Sequence, residues 1–362
     1  MLTPPIEPML AKPLGSTIPG DAHGVVFEPK WDGFRCLVFR GDGDVVLQGR
    51  GRSRGSADDV IDLAYAFPEI VAAVTEQVPA GTVLDAEIVV PVGGRLDFGS
   101  LSSRLRPRSE AGGTNIAKLA DALPASLLAF DLLWSQGDLM SEPLSSRRRV
   151  LEELASSWHA PLLLTPQTAE RSLAQRWFDA YEAAGVDGLI VKQLADGYAP
   201  GKRTQGKVKH QRSADVVVAG WRPYAKSGPD GSELVGALLL GLYDDSGDLQ
   251  YMGAASAFTT KVRGDLVGLL APLAVPEDGP HPWRGASGVR VPGEANRWKK
   301  EQPWRALRPA LVAEVAYDQL EDGRFRHVAG FVRWRPDRGP ETCGFDQLET
   351  PPAADIGSLL PI

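Results

Sequence analysis

A change in the sequence pattern near Asp215 divides the chain and limits the folds that it can adopt. Before this point, short β-rich runs such as FRCLVFR (34–40) and TVLDAEIVV (82–90) alternate with helical segments. That mixture predicts an α+β domain. After it, short apolar runs follow one another with tight Gly/Asp turns and one helical stretch near 260–271, which is typical of a small β-barrel.

Length and composition agree with two domains. The chain has 362 residues, of which 43% are hydrophobic and 23% are charged, so each half can bury a core. We expect the first domain to cover residues 1–212 and the second to cover 213–349. The basic segment 201–212 lies where a hinge between them would lie, and residues 350–362 read as a flexible, proline-containing tail.

Several classes of protein are excluded by what the sequence lacks. No apolar run approaches the roughly 20 residues that a membrane-spanning helix needs. Prolines and Glu7 interrupt the N-terminal segment where a secretory signal needs an unbroken apolar stretch. The two cysteines, Cys36 and Cys343, form neither a CxxC motif nor a Cys/His cluster. We therefore expect a cytoplasmic protein without a membrane partner, a disulfide scaffold or a structural zinc site.

Positive charge is concentrated although the net charge is −7. Residues 201–212, GKRTQGKVKHQR, contain five Lys or Arg and no carboxylate, and residues 297–308 interleave basic residues with two tryptophans. Such runs on an acidic chain can bind the phosphates of a nucleic acid. The alternative is a solvated surface.

The segment KWDG (30–33) contains a candidate nucleophile. Lys30 follows a predicted strand and precedes a turn at Asp32 and Gly33. Neighbouring cations would lower the pKa of a lysine held there and free its amine to attack phosphorus. Alternatively, Lys30 is a surface lysine beside a hairpin turn.

Carboxylates lie inside predicted apolar strands. Strand alternation places Asp85 and Glu87 on one face of LDAEIVV, where acids need a partner, solvent or a metal. Hard oxygen ligands of this kind suit Mg²⁺, and a strand with one wet face is the alternative. In AFDLLW, Asp131 repeats the pattern beside Phe130, which can stack on a base or simply lie in the core.

The segment VDGLIVK raises a question of geometry. Asp187 and Lys192 flank its apolar residues, and strict alternation places them on opposite faces of a strand. Both can reach one site only if a bulge or a strand end intervenes.

Two further pairs of cations share a face. Lys207 and Lys209 in KVK form a grip for phosphate oxygens, and Arg333 and Arg335 in FVRWRPDR lie opposite Trp334. Solvated strand charges are the alternative for both pairs.

Taken in order, these segments resemble the covalent nucleotidyltransferases, which include ATP-dependent DNA ligases, RNA ligases and mRNA capping enzymes. PMLA (8–11), FGSLSSRLRP (98–107) and LVAEVAYDQ (311–319) are most similar to small bacterial DNA ligases of the ligase C type. The resemblance implies an adenylyltransferase domain of antiparallel sheets with flanking helices, followed by an OB-fold barrel. The segments that carry it are KWDG, QGRG (48–51), LDAEIVV, AFDLLW, DGLIVK, KVK and RWRPDR.

The resemblance also implies a reaction with ATP and Mg²⁺ or Mn²⁺. Lys30 would attack the α-phosphate of ATP and form lysyl-AMP, and the AMP would pass to the 5′-phosphate of a DNA nick before the 3′-hydroxyl seals the strand. The implied roles are adenine contact for Glu28 and Phe130; ribose and nick-phosphate contact for Asp32, Arg35 and Arg50; ribose and metal contact for Glu87 and Asp187; α-phosphate contact for Lys192, Lys207 and Lys209; and pyrophosphate contact for Arg333, Arg335 and Asp337.

Two positions depart from the common pattern of the superfamily. Asp187 stands where most members have Glu, which shortens the reach to a metal by one methylene. The turn motif reads GRG, and the following Arg52 and Arg54 are rivals to Arg50.

We therefore expect an ATP-dependent DNA ligase that seals nicked double-stranded DNA, acts in repair with other repair proteins, works as a monomer and joins the nucleoid during repair. The alternatives are an RNA ligase, a capping-like nucleotidyltransferase, or a non-catalytic OB-fold protein that binds nucleic acid.

Overall fold

The computed structural model describes residues 2–20, 23–52, 60–105, 113–228, 231–284, 288–293, 303–349 and 354–360. Contacts within the chain define two compact units, one of Met1–His210 with Pro351–Ile362 and one of Gln211–Thr350. Residues 297–302 of the second basic run and the rival Arg54 lie outside the described residues, as does the side chain of Arg52.

The first unit combines strands and helices. Its strands are β1 (Leu10–Pro13), β2 (Val25–Trp31), β3 (Phe34–Arg40), β4 (Val45–Arg52), β5 (Val60–Asp62), β6 (Thr82–Val89), β7 (Pro91–Val92), β8 (Arg95–Leu96), β9 (Ser126–Ser135), β10 (Leu162–Leu164), β11 (Val186–Gln193) and β12 (Arg203–Val208). Its helices are α1 (Pro68–Gln77), α2 (Phe98–Arg104), α3 (Gly113–Ala122), α4 (Leu144–Ala155) and α5 (Arg171–Ala180).

Two sheets position the residues of interest. One has the strand order β1-β12-β11-β2, and the other has the order β10-β9-β6-β3-β4-β5. Most neighbours are antiparallel, and the pairs β1/β12 and β9/β10 are parallel. The larger sheet packs its apolar side chains against α1, with Phe67, Ile70 and Leu84 fully buried. The α+β architecture predicted for this part of the chain is confirmed.

A bulge in β11 provides the geometry that the sequence required for Asp187 and Lys192. The pairing of β11 with β2 shifts register between Val186 and Leu189. Within the bulge, Gly188 has a φ of 112°, and a Cβ there would collide with the backbone carbonyl of Val208. Glycine is needed because other residues rarely adopt this conformation and have a side chain that would not fit.

The second unit is built on one antiparallel sheet. Its main strands are β13 (Arg212–Pro223), β14 (Val235–Tyr243), β15 (Leu249–Ala255), β16 (Arg305–Tyr317) and β19 (Gly330–Trp334), with a small hairpin of β17 (Leu320–Glu321) and β18 (Arg324–Phe325) and the helix α6 (Thr260–Leu270).

This sheet is not a closed barrel within the described residues. Its strand order is β15-β14-β13-β16-β19, and the two edges meet at a single bridge between Ala255 and Ala329. The strand-rich second domain and the helix near 260–271 agree with the prediction from the sequence. The closed barrel that the sequence also predicted is not formed by the described residues.

The described part of the C-terminal segment differs from the flexible tail that the sequence predicted. Residues 354–360 contain a 3₁₀ turn (Ile356–Ser358) that packs within the first unit. Ile356 and Leu360 are each 1% exposed, and the backbone N–H of Ile356 donates to the carbonyl of Gly94 at 2.7 Å. Burial of these two apolar side chains orders a segment whose proline content suggested disorder.

No helix in the described ranges has the length and hydropathy needed to cross a bilayer.

Replacing Gly188 tests the bulge. We expect Gly188→Ala to lower the free energy of unfolding by about 3 kcal/mol, because it adds backbone strain and a collision with Val208. Gly81→Ala is the matched control, since Gly81 has a φ of 75° with no neighbouring atom within 4 Å. Its cost should be about 1 kcal/mol from conformation alone. Chemical denaturation measures both losses. Equal losses of unfolding free energy for the two variants would contradict a role for the close approach of Val208 to Gly188.

Candidate active site

A cavity in the first unit brings together most of the predicted nucleotide-binding residues. It is formed by residues 8 and 9 and by segments of β1, β2, β3, β4, β6, β9, β11 and β12, so most of its wall consists of strands. Among the residues that line it are Glu28, Lys30, Arg35, Arg50, Glu87, Phe130, Lys192 and Lys207. Segments up to 199 residues apart in the sequence, from Pro8 to Lys207, therefore meet at one site.

Lys30 is held by a carboxylate that it shares with a second lysine. Its Nζ lies 2.5 Å from Oδ2 of Asp187, and Nζ of Lys209 lies 2.8 Å from the same oxygen. The Lys30 side chain is 24% exposed and lines the cavity. The β11 bulge brings Asp187 to this position, and Lys209 reaches it from just beyond β12.

Lys207, the other lysine of KVK, lines the cavity itself. Burial lowers its pKa, and the nearby positive charges of Lys209 and Lys30 lower it further. Lys207 and Lys209 therefore both lie near Lys30.

A buried ion pair forms another wall of the cavity. Nζ of Lys192 lies 2.6 Å from Oε2 of Glu28, and their side chains are 3% and 2% exposed. Lys192 also donates to the backbone carbonyl of Phe130 at 3.3 Å. The other carboxylate oxygen of Glu28 accepts from Nε2 of Gln167 at 2.8 Å.

Phe130 lies between two cations. The Arg35 guanidinium carbon is 4.4 Å from the centroid of the Phe130 ring, and Nζ of Lys192 is 4.9 Å from it. Arg35 is itself fixed by two hydrogen bonds of 2.5 Å to Asp85. The ring is thus a rigid apolar surface bordered by positive charge.

The two acids of LDAEIVV have different environments. Asp85 is fully buried and accepts hydrogen bonds from Arg35 and from the Tyr198 hydroxyl at 2.6 Å. Glu87 lines the cavity, and burial raises its pKa to about 7, with Asp85 and Asp32 contributing in the same direction against Arg35 and Lys30. Both acids have charged or polar neighbours, as the sequence pattern required. The carboxylate of Asp85, however, is already bound inside the protein by Arg35 and Tyr198.

Asp131 has a structural partner. Its carboxylate is 1% exposed and accepts two hydrogen bonds from the Arg147 guanidinium, at 2.7 and 2.9 Å. Asp131 is not among the residues that line the cavity described here.

The three predicted residues of the second unit form ion pairs within that unit. Arg333 lies 2.7 Å from Glu314, and Arg335 lies 2.8 Å from Asp215 and 2.7 Å from Asp337. The hydrogen bond from Arg335 lowers the pKa of Asp337 to about 2.

Sequence reasoning missed several residues of the site. Gln167 binds Glu28, and the Tyr198 hydroxyl binds Asp85. Each is a lone polar residue in an irregular segment, so no sequence pattern indicated its role. Arg203 and Gln205 line the cavity and lie inside the basic run 201–212, so that run was a usable signal for them.

The carboxylates of the site suit Mg²⁺ or Mn²⁺ held partly by a substrate. The described residues include no group of three or more His, Cys, Asp or Glu side chains that could hold a metal by themselves. Mg²⁺ commonly binds through one or two carboxylates together with substrate phosphates. Glu87 in the cavity and Asp187 beside Lys30 are donors of that kind.

A cavity that combines clustered cations, an aromatic ring and carboxylates is suited to a nucleoside triphosphate with its metal. Such a site has the groups that a nucleotidyltransferase requires.

Comparison with known proteins identifies the family. A family model described as "ATP dependent DNA ligase domain" matches residues 8–210, and one described as "ATP dependent DNA ligase C terminal region" matches residues 231–338. The chain belongs to the ATP-dependent DNA ligase family, and its relatives place it with the ligase C type.

Three relatives illustrate this placement. DNA ligase C of Mycobacterium tuberculosis is 41% identical, with 99% of this chain and 98% of that protein covered. DNA ligase C2 of Mycolicibacterium smegmatis is 43% identical, with 96% of each covered. A multifunctional non-homologous end joining protein LigD of Mycobacterium bovis is 32% identical over 92% of this chain but only 39% of its own length.

Solved structures support the fold. A Lig E DNA ligase has a TM-score of 0.52 at 17% identity, covering 90% of this chain and 99% of its own. A structure titled "Pmar-Lig_Pre." has a TM-score of 0.56 at 15% identity, covering 91% of this chain and 68% of its own.

The raised pKa of Glu87 predicts a pH dependence of stability in metal-free buffer. The folded protein binds this proton more tightly than the unfolded chain, whose Glu has its ordinary pKa of 4.5. The stabilisation from Glu87 is therefore full below pH 4.5 and is lost as the pH rises to about 7.

Denaturation of the wild type and of Glu87→Gln across this range measures the effect. The wild type should lose stability relative to the variant as the pH rises. A constant difference between the two would show that the Glu87 carboxyl is not perturbed.

Proposed function

We propose that this protein is an ATP-dependent DNA ligase that seals nicks between a 5′-phosphate and a 3′-hydroxyl through a lysyl-AMP intermediate on Lys30. The observation that carries the proposal is the position of the Lys30 amine, which shares an oxygen of Asp187 with Lys209 in a cavity that Lys192 and Lys207 also line. Family membership supports the same reaction.

In the first step, the neutral amine of Lys30 attacks the α-phosphorus of ATP. A P–N bond forms, the bond to the β-phosphate oxygen breaks, and pyrophosphate leaves. Lys30 must lose a proton to react. Asp187, already 2.5 Å from the amine, is placed to orient it and to accept that proton.

The remaining residues of the cavity bind and orient the nucleotide. Negative charge spreads over the non-bridging oxygens in the transition state, so cations aimed at them give the greatest stabilisation. We assign the α-phosphate to Lys192, Lys207 and Lys209, adenine to Glu28 and Phe130, and ribose or nick phosphate to Asp32, Arg35 and Arg50.

Glu87 and Asp187 would hold the divalent metal. When bound, Mg²⁺ or Mn²⁺ neutralises phosphate charge and helps orient the triphosphate.

In the next steps, AMP passes from Lys30 to the 5′-phosphate of the nick, and the 3′-hydroxyl then displaces AMP. Lys30 is regenerated when the P–N bond breaks. We assign Arg333, Arg335 and Asp337 to the pyrophosphate in the first step. Relatives that include an end-joining protein support a role in DNA repair. Our proposal extends to repair proteins as partners and to the nucleoid as the place of action.

Sealing of a nicked duplex tests the function. We expect ligation of a 5′-phosphorylated nick with ATP but not with NAD⁺, and loss of at least about 10³-fold in rate for Lys30→Ala, because the covalent step is removed.

Lys118→Ala is the matched control. Lys118 is exposed on α3, so its loss removes a lysine without affecting the cavity. Full sealing by Lys30→Ala, or preference for nicked RNA over nicked DNA, would refute the proposal.

A further inference from the structure

Gln167 lies on a short segment that is fixed at both ends. The Thr165 backbone N–H donates to the carbonyl of Ala129 at 2.8 Å, and the Thr165 hydroxyl accepts from the Trp31 indole at 3.0 Å. Thr168 exchanges two backbone hydrogen bonds with Phe27, at 2.8 and 3.0 Å. The position of Gln167 is therefore set by the sheet core rather than by a mobile loop.

The Gln167 amide makes a specific contact with the cavity. Its Nε2 donates to Oε1 of Glu28 at 2.8 Å, while Lys192 holds Oε2 at 2.6 Å. Glu28 is 2% exposed, so these two partners on opposite oxygens fix the plane of a buried carboxylate. A carboxylate has about four acceptor sites, so capacity remains for another donor.

We propose that Gln167 is a positioning residue that orients Glu28 and thereby sets the preference for a 6-aminopurine over a 6-oxopurine nucleotide. The inference rests on the proposed function, in which Glu28 contacts the base. Gln167 itself acts through Glu28.

The chemistry of the purine edge explains the selectivity. The amino group at C6 of adenine is a donor and can fill a free acceptor site on Glu28. The carbonyl at C6 of hypoxanthine or guanine is an acceptor and would face a negative carboxylate without a proton between them. A fixed carboxylate enforces this difference, whereas one free to rotate away does not, because it can avoid the repulsion.

The test measures formation of lysyl-nucleotide with ATP and with ITP, which differ at C6 of the base. Gln167→Met keeps the size of the side chain and removes the donor. We expect kcat/KM for ATP to fall about tenfold while kcat/KM for ITP changes little, so that the ratio falls about tenfold.

Gln175→Met is the matched control. Gln175 also donates to a carboxylate, that of Asp179 at 2.9 Å, but on the exposed surface of α5. For Gln175→Met, the ratio of kcat/KM for ATP to kcat/KM for ITP should equal that of the wild type. If Gln167→Met lowers both rates equally, the residue is only structural and the inference is wrong, although the proposed function stands. If the wild type forms no adenylate with ATP, the proposed function fails first.

Gln167→Glu provides a nearly isosteric second variant. The introduced carboxyl repels Glu28 when ionised but becomes a donor when protonated. The ATP-to-ITP ratio should be low at alkaline pH and recover toward the wild-type value at mildly acidic pH, with the wild-type ratio constant. A ratio that equals that of the wild type at every pH would overturn the need for a donor at this position.

Discussion

The carboxylate of Asp187 is the contact on which the rest of the site depends. Lys30 at the end of β2 and Lys209 beyond β12 carry like charges, and one oxygen of Asp187 binds both. Without this anion, the two lysines would repel each other and separate the segments that carry them. The β11 bulge at Gly188 is what allows the carboxylate to stand here while Lys192 reaches the cavity from the same strand.

Two other ion pairs of the site follow the same rule. Glu28 is paired with Lys192, and Arg35 is paired with Asp85. Unpaired charges in a sheet interior are strongly unfavourable, so these pairs fix side-chain directions before any nucleotide arrives. Placement on strands of two sheets holds these groups in position, which favours stabilisation of the charge that develops at the α-phosphate.

Much of this site could be predicted from the sequence because many of its residues belong to short local patterns. Charged residues inside apolar strands marked Glu87 and Asp187, and KVK marked Lys207 beside Lys209. The sequence could not separate Asp85 and Asp131 from functional acids, since their partners, Arg35 and Arg147, are set by tertiary packing. Gln167 was missed for the same reason. The order of residues 354–360 depends on burial of Ile356, which no local pattern reveals.

Locating the adenylyl group on the protein tests the central claim most directly. After incubation of the full chain with ATP and Mg²⁺, tandem mass spectrometry of its peptides should find AMP on the Nζ of Lys30. The modification should be lost on mild acid treatment, as a phosphoramidate is. AMP on Lys192, Lys207 or Lys209 instead, or its complete absence, would contradict the account.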